Sequence, residues 1–186
     1  MDRRQRKSRE AIFSAFSELL AEKSFSSITV QEIIDRADVG RTTFYAHFPT
    51  KDALLEAMCA DIFDHVFGEQ DHGEATHDFS DKPADLRSHL THLLCHLRDR
   101  RSDMTGLIAG ESGDLFMGYF CDCLRSELSC VDELAPAGVP REYAEAFYVS
   151  SFAELVRLWV REGMVTDPAT VVSYYLAMAG SRDDVA

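Results

Sequence analysis

Apolar residues Ile12, Phe13, Phe16, Leu19 and Leu20 recur at spacings of one, four, seven and eight, which predicts an amphipathic helix over about residues 4 to 22 with one face toward a core. Thr29 followed three residues later by Glu32 forms a capping box, opening a short helix that turns Ile33, Ile34 and Ala37 inward. Asp38, Val39 and Gly40 end that helix. Phe44 and Phe48 lie four apart on one face of a third helix from Arg41, which Pro49 stops at the preceding residue. Thr50 caps a fourth, expected from Lys51 to about Phe67.

The pattern then lapses. Residues 68–82 are polar, acidic and aperiodic, and read as an exposed connection. A fifth helix after Pro83 carries Leu86, Leu90, Leu93, Leu94 and Leu97 on one face, with Arg98, Arg100 and Arg101 at its C-terminal end, where cations suit the helix dipole. Short and medium helices are expected over Met104–Ala109 and Asp114–Leu128. A break at 135–140 precedes a long helix reaching Glu162, with Gly163 as its C′ residue, and Thr166-Asp167-Pro168 opens a last helix ending near Gly180. No strand-like alternation of useful length interrupts this series. The expected fold is all-α, divided into residues 1–50 and residues 51–186.

Charge sharpens that division. The 186 residues carry a net charge of −13, but residues 1–51 sum to +2 and residues 52–186 to −15. An acidic chain with one basic end is unsuited to coating nucleic acid indiscriminately and suited to docking DNA through that end. The basic start lacks the apolar stretch of a signal peptide, and no uncharged apolar run approaches the roughly 18 residues needed to cross a bilayer, so a cytoplasmic protein without a membrane partner is expected. The five cysteines form no C-x-x-C pair and read as reduced thiols.

Residues 29–48 therefore spell helix, tight turn, helix, the unit whose second helix enters the major groove. With Ile33, Ala37, Val39, Phe44 and Phe48 facing inward, Arg41, Thr42, Thr43, Tyr45, Ala46 and His47 are left on the groove side. Arginine can bond guanine O6 and N7 together, threonine offers a hydroxyl and a methyl, and tyrosine or histidine can reach phosphates. Lys51 can pair with a phosphate, and Arg3, Arg4, Arg6, Lys7 and Arg9 form either a solvated terminus or an arm reaching DNA.

The stretch from Thr29 to Leu55, above all Thr43-Phe44-Tyr45-x-His47-Phe48 with Lys51 and Leu54, resembles the tetracycline-repressor (TetR) family of transcription regulators. The resemblance covers roughly residues 8–57. It implies a three-helix helix-turn-helix domain for DNA binding over 1–50, a helical ligand-binding and dimerisation domain over 51–186, and a homodimer. It also implies Arg41, Thr42 and Thr43 on bases, with Thr29, Tyr45, His47 and Lys51 mainly on phosphates. Asp38 and Gly40 depart from the family's common Gly and Ser, so operator identity cannot be transferred.

Other constellations carry less. His89, His92 and His96 form one stripe beside the leucine face, but seven residues span roughly 10.5 Å along a helix, so at most a pair could chelate, with help from His65, His72, His77, a carboxylate or a cysteine. Cys121 and Cys123 point to opposite faces of a helix. Gly110-Glu-Ser-Gly113 lacks the fifth-position Gly of a nucleophile elbow, and no phosphate-binding glycine loop occurs, so no cofactor, no bound metal and no enzyme activity are expected. Met104, Phe116, Tyr119, Phe120, Tyr148 and Phe152 are candidates to line an apolar effector cavity. Phe152, Leu155, Val156, Trp159, Val172 and Leu176 are candidates for a dimer interface of the last two helices.

The resulting expectation is a homodimeric transcription regulator, a repressor, that binds a double-stranded operator and responds to a small-molecule effector. Two competing readings are a metal-responsive regulator sensing through the fifth helix, and a ligandless regulator acting through a protein partner.

Overall fold

The computed structural model describes residues 3–67, 85–108, 113–127 and 135–180, and within them every regular element is helical. Helix α1 spans Arg3–Glu22, α2 Val30–Ala37, α3 Arg41–His47, α4 Lys51–Phe67 and α5 Leu86–Asp99. They are followed by α6 over Arg101–Ile108, α7 over Gly113–Glu127, α8 over Arg141–Arg161 and α9 over Pro168–Met178. A 3-10 turn, Phe25–Ser27, follows α1.

The first three helices enclose a small core of Ile12, Phe16, Leu19, Ile33, Phe44 and Phe48, all buried. That three-helix unit is not isolated. Helix α1 packs against α6 as well as α2, while α4 packs on α5 and α7, so apolar packing runs without interruption past residue 50 into the body. There an aromatic series crosses the helices. Phe63 of α4 meets Phe120 of α7 at 5.2 Å between ring centroids, Phe120 stacks on Phe152 of α8 at 6.4 Å, and Phe152 meets Tyr175 of α9 at 5.0 Å.

Helix ends follow local chemistry. Thr50 accepts the Ala53 N–H at 3.0 Å to cap α4, and Asp167 accepts from Ala169 at 3.1 Å ahead of Pro168 in α9. Gly163 takes φ 77° beyond α8, and the N–H groups of Gly163 and Met164 close back on the carbonyls of Val160 and Trp159 at 2.9 and 2.8 Å. Helix α6 begins at Arg101, three residues before the expected start. Arg100, at φ −100° and ψ 29°, breaks α5 inside an arginine-rich stretch that periodicity reads as one helix end. A Cβ on Gly113 would sit 2.2 Å from the Ile108 carbonyl oxygen, so close approach of α6 and α7 requires glycine there. The expected connection at 68–82, the start after Pro83, residues 109–112, Leu128, His72, His77 and Cys130 lie outside the described residues, as does the His65 side chain.

Candidate nucleic-acid interface

The turn between α2 and α3 is held from both sides. Thr29 caps α2 reciprocally: its Oγ1 accepts the Glu32 N–H at 3.3 Å, while the Glu32 carboxylate accepts the Thr29 N–H at 2.9 Å and its hydroxyl at 2.9 Å. Lys23 adds an ion pair to the same carboxylate. The Lys23 ammonium and the two Thr29 donors hold the Glu32 carboxyl well below its ordinary 4.5, at about 2. Arg36 grips Glu22 with two bonds, at 2.6 and 3.0 Å, fastening α2 to the end of α1 and lowering the Glu22 carboxyl. Asp38 then turns the chain in the left-handed region, φ 50° and ψ 48°, a conformation aspartate tolerates better than most residues. Gly40, in ordinary extended backbone, leads into α3.

Along α3 the division between inside and outside follows the expected residues. Phe44 and Phe48 are buried, whereas Arg41, Thr42, Tyr45 and Ala46 are exposed and Thr43 and His47 half-buried. Tyr45 rests its ring edge-on against Phe44 at 5.4 Å, which fixes the direction of its phenol. Arg41 donates to the Gln31 side-chain carbonyl at 2.7 Å, and Gln31 donates in turn to Asp35 at 2.7 Å. Gln31 escaped the sequence reading. Its partner lies ten residues away across the turn, and the available signal was only that Gln31 and Asp35 share the exposed face of α2.

Between α3 and the start of α1 lies a groove of about 390 Å³ lined by Arg4, Gln5, Ser8, Thr42, Thr43, Ala46 and His47. The basic N-terminal turns thus face the same space as the recognition helix. They do not act alike, because Arg9 is set over the rings of Phe13 and Phe48 at 4.7 and 5.4 Å and lies 3.8 Å from Asp61, whereas Arg3, Arg4, Arg6 and Lys7 are exposed. Lys51, expected on a phosphate, donates to the carbonyls of Phe25 and Ile28 at 2.6 and 2.7 Å and lies 4.2 Å over the Phe25 ring. Burial there lowers its pKa, and two of its three donors serve the fold, leaving one. Thr29 likewise commits its hydroxyl to the capping box.

The expected interface on the last two helices needs correction. Phe152, Val156, Trp159, Val172 and Leu176 are buried inside one protomer, with Trp159 donating its indole N–H to Thr166 O at 2.8 Å, so they have no surface to offer a partner; only Leu155 is half-buried. The apolar side chains that α8 and α9 do expose are Tyr143, Phe147 and Leu158, and Tyr174 and Met178. Of the expected cavity residues, Phe116, Phe120 and Phe152 pack ring to ring, Met104 is fully buried, and Tyr148 accepts from the Tyr175 hydroxyl at its carbonyl at 2.9 Å. Tyr119 stands apart, half-exposed, its pKa raised by partial burial and then by the charges of Glu56 and Asp52. Cys123 and Cys59 share a thiol hydrogen bond between α7 and α4, which with burial pushes the Cys59 thiol up, and the four described cysteines are unbridged. No described helix is long and apolar enough to cross a membrane.

Comparison with known proteins agrees with this geometry. Residues 12–58 match the family described as bacterial regulatory proteins, tetR family. An uncharacterized HTH-type transcriptional regulator, YxbF of Bacillus subtilis (strain 168), is 41% identical over 71 residues, 36% of this chain and 19% of its own, so the match spans about a fifth of that relative. Across nearly the whole fold, the chain is similar to a TetR transcriptional regulator from Streptococcus agalactiae 2603V, with TM-score 0.70 and 28% identity over 96% of both chains. It also shares its fold with the dihydroxyacetone kinase operon activator DhaS, with TM-score 0.64 and 15% identity over 94% of this chain and 95% of that one.

Proposed function

The chain belongs to the tetR family of bacterial regulatory proteins, and from that premise we propose that it is a cytoplasmic homodimer that represses transcription by occupying a palindromic operator until a small molecule enters its helical body. One observation carries the DNA reading. The polar face of α3 and the exposed basic start of α1 line a single groove, with Arg41 held in place by Gln31 and no apolar core side chain sacrificed to expose them.

In this reading Arg41, Thr42 and Thr43 meet base edges, while Tyr45, His47, Arg4 and the remaining donor of Lys51 meet phosphates. Thr29 supports that surface by fixing the start of α2. One head contacts few base pairs, and a dimer doubles them across a two-fold site. Tyr143, Phe147 and Leu158, spaced four and eleven residues apart, share one face of α8, and Tyr174 and Met178 share one face of α9. Exposed aromatic and methionine side chains of this kind are what an interface between copies buries.

The effector reading is supported by the aromatic series from Phe63 to Tyr175, which joins α4, next to the reading head, to α9, next to the proposed interface. Inserting a ligand among these rings would displace α4 and change the spacing of the two heads. Selection of bound duplexes from a random pool tests the proposal as a whole. An inverted repeat is expected, with half-site centres roughly 34–36 Å apart or a multiple of that; enrichment of no repeat would overturn it. Raised expression from the operator-bearing promoter when the gene is deleted is the result expected of a repressor, and lowered expression would make the protein an activator.

A further inference from the structure

Two imidazoles on α5, away from the reading head, meet in a way that the spacing of their residues permits but does not require. His92 and His96 lie four apart, one helical turn, and are both half-buried. Their Nε2 atoms approach to 3.0 Å, with ring centroids 4.7 Å apart and planes inclined at 41°. As neutral side chains they can share one proton across that gap, with one ring donating and the other accepting. The same two atoms are also the usual metal-binding nitrogens of histidine.

The distance selects among metals. With metal–nitrogen bonds of about 2.0–2.1 Å, two ligands on adjacent corners of a square or octahedron lie about 2.9 Å apart, while two on a tetrahedral ion lie about 3.3 Å apart. The observed 3.0 Å, a hydrogen-bond separation, lies nearer the right-angled spacing than the tetrahedral one. Imidazole suits borderline ions, square or tetragonal N,O sites belong to Cu2+ and Ni2+, and Cu2+ heads the affinity order for divalent ions of the first transition row. Among the described residues no group of three or more His, Cys, Asp or Glu side chains converges. Among the described residues the pair thus supplies two corners and leaves others open to water, which tetragonal ions accept and a closed structural zinc site does not.

We propose that His92 and His96 form a two-histidine chelate for a tetragonal divalent ion, Cu2+ first and Ni2+ after it. Binding requires the donating ring to carry its proton on Nδ1 instead, which leaves the Nε2 lone pairs of both neutral rings for the ion. The site is independent of the DNA reading, since it uses no residue of the first four helices.

The test uses full-length, tag-free protein treated with a chelator and then titrated with Cu2+ alone, in competition with a chromophoric ligand. One equivalent is expected to bind with an electron paramagnetic resonance spectrum of two equatorial imidazole nitrogens, a readout that needs no variant. His92→Gln and His96→Gln should each weaken binding by at least about tenfold, and His89→Gln should leave it unchanged. A wild-type spectrum without two coupled nitrogens, or a double variant that melts like the wild type and still binds Cu2+ equally well, would overturn the site.

Discussion

The reading head and the helical body are built from the same kind of element but differ in where their informative residues lie. In the head, three short helices bury a handful of aromatic and branched side chains, and the residues of interest stand outside, polar and exposed, on α3 and the start of α1. In the body the candidate residues are the core itself: Met104, Phe116, Phe120 and Phe152 are fully buried. A head of this kind can lose a functional side chain and keep its fold, because surface substitutions away from packing cost little. In the body the buried rings Phe116, Phe120 and Phe152 cannot be lost so cheaply, since they also hold helices together.

The largest effect that would sharpen this contrast is expected at Phe120, which contacts Phe63, Phe116 and Phe152. Phe120→Ala should cost about 3–5 kcal/mol of unfolding free energy, read by denaturant titration. A loss no larger than that of an α3 surface variant would break the comparison. Next is the face of α8 and α9. Phe147 is 59% exposed in the protomer, so Phe147→Glu should leave the protomer folded while weakening self-association by about 2 kcal/mol, the scale of an interface anchor. Sedimentation equilibrium checks this, and an unchanged dimer would move the interface elsewhere.

Within the head, the exception to tolerance is the cap of α2. Thr29→Ala should cost about 1 kcal/mol of stability. The Glu32 carboxyl, held at about 2 against an ordinary 4.5, is ionised in the fold under conditions that protonate it in the unfolded chain. Its contribution is therefore present in full above about pH 4.5 and is lost as the pH falls toward 2. The stability difference between wild type and Glu32→Gln, followed by denaturation across that window, should shrink accordingly; a constant difference would show that the carboxylate is not held as described. The smallest effect is expected at Asp38. Asp38→Gly relieves the left-handed backbone at φ 50° but frees the unfolded chain, for a net gain of a few tenths of a kcal/mol. In the proposed complex it also removes a negative charge from the DNA-facing side and should tighten operator binding, more so at low salt. Weaker binding by this variant would give Asp38 a direct role in the complex.

What could be read in the sequence follows the same division. The cap at Thr29 and Glu32, the stop at Pro49 and the four-residue spacing of Phe44 and Phe48 are local devices, each visible within a few residues, and together they placed Arg41, Thr42, Thr43 and Tyr45 outward as expected. The face of α8 and α9 was misread because periodicity shows that a helix has an apolar side without showing what covers it. Phe152, Val156, Trp159, Val172 and Leu176 are covered within the protomer, where α8 packs on α6 and α7 and α9 packs on α5. The same blindness to distant partners hid the engagement of Lys51 with the carbonyls of Phe25 and Ile28, the tether between Gln31 and Arg41, and the contact that requires glycine at 113.

The central claim is that α3 reads DNA with side chains the fold does not need, and Arg41 tests it most directly. Fluorescence anisotropy with the selected duplex, beside thermal melting of the same preparations, should show Arg41→Ala losing about 1–3 kcal/mol of specific binding while its melting temperature stays at the wild-type value. Equal affinity of wild type and variant for that duplex, with melting unchanged, would contradict the account.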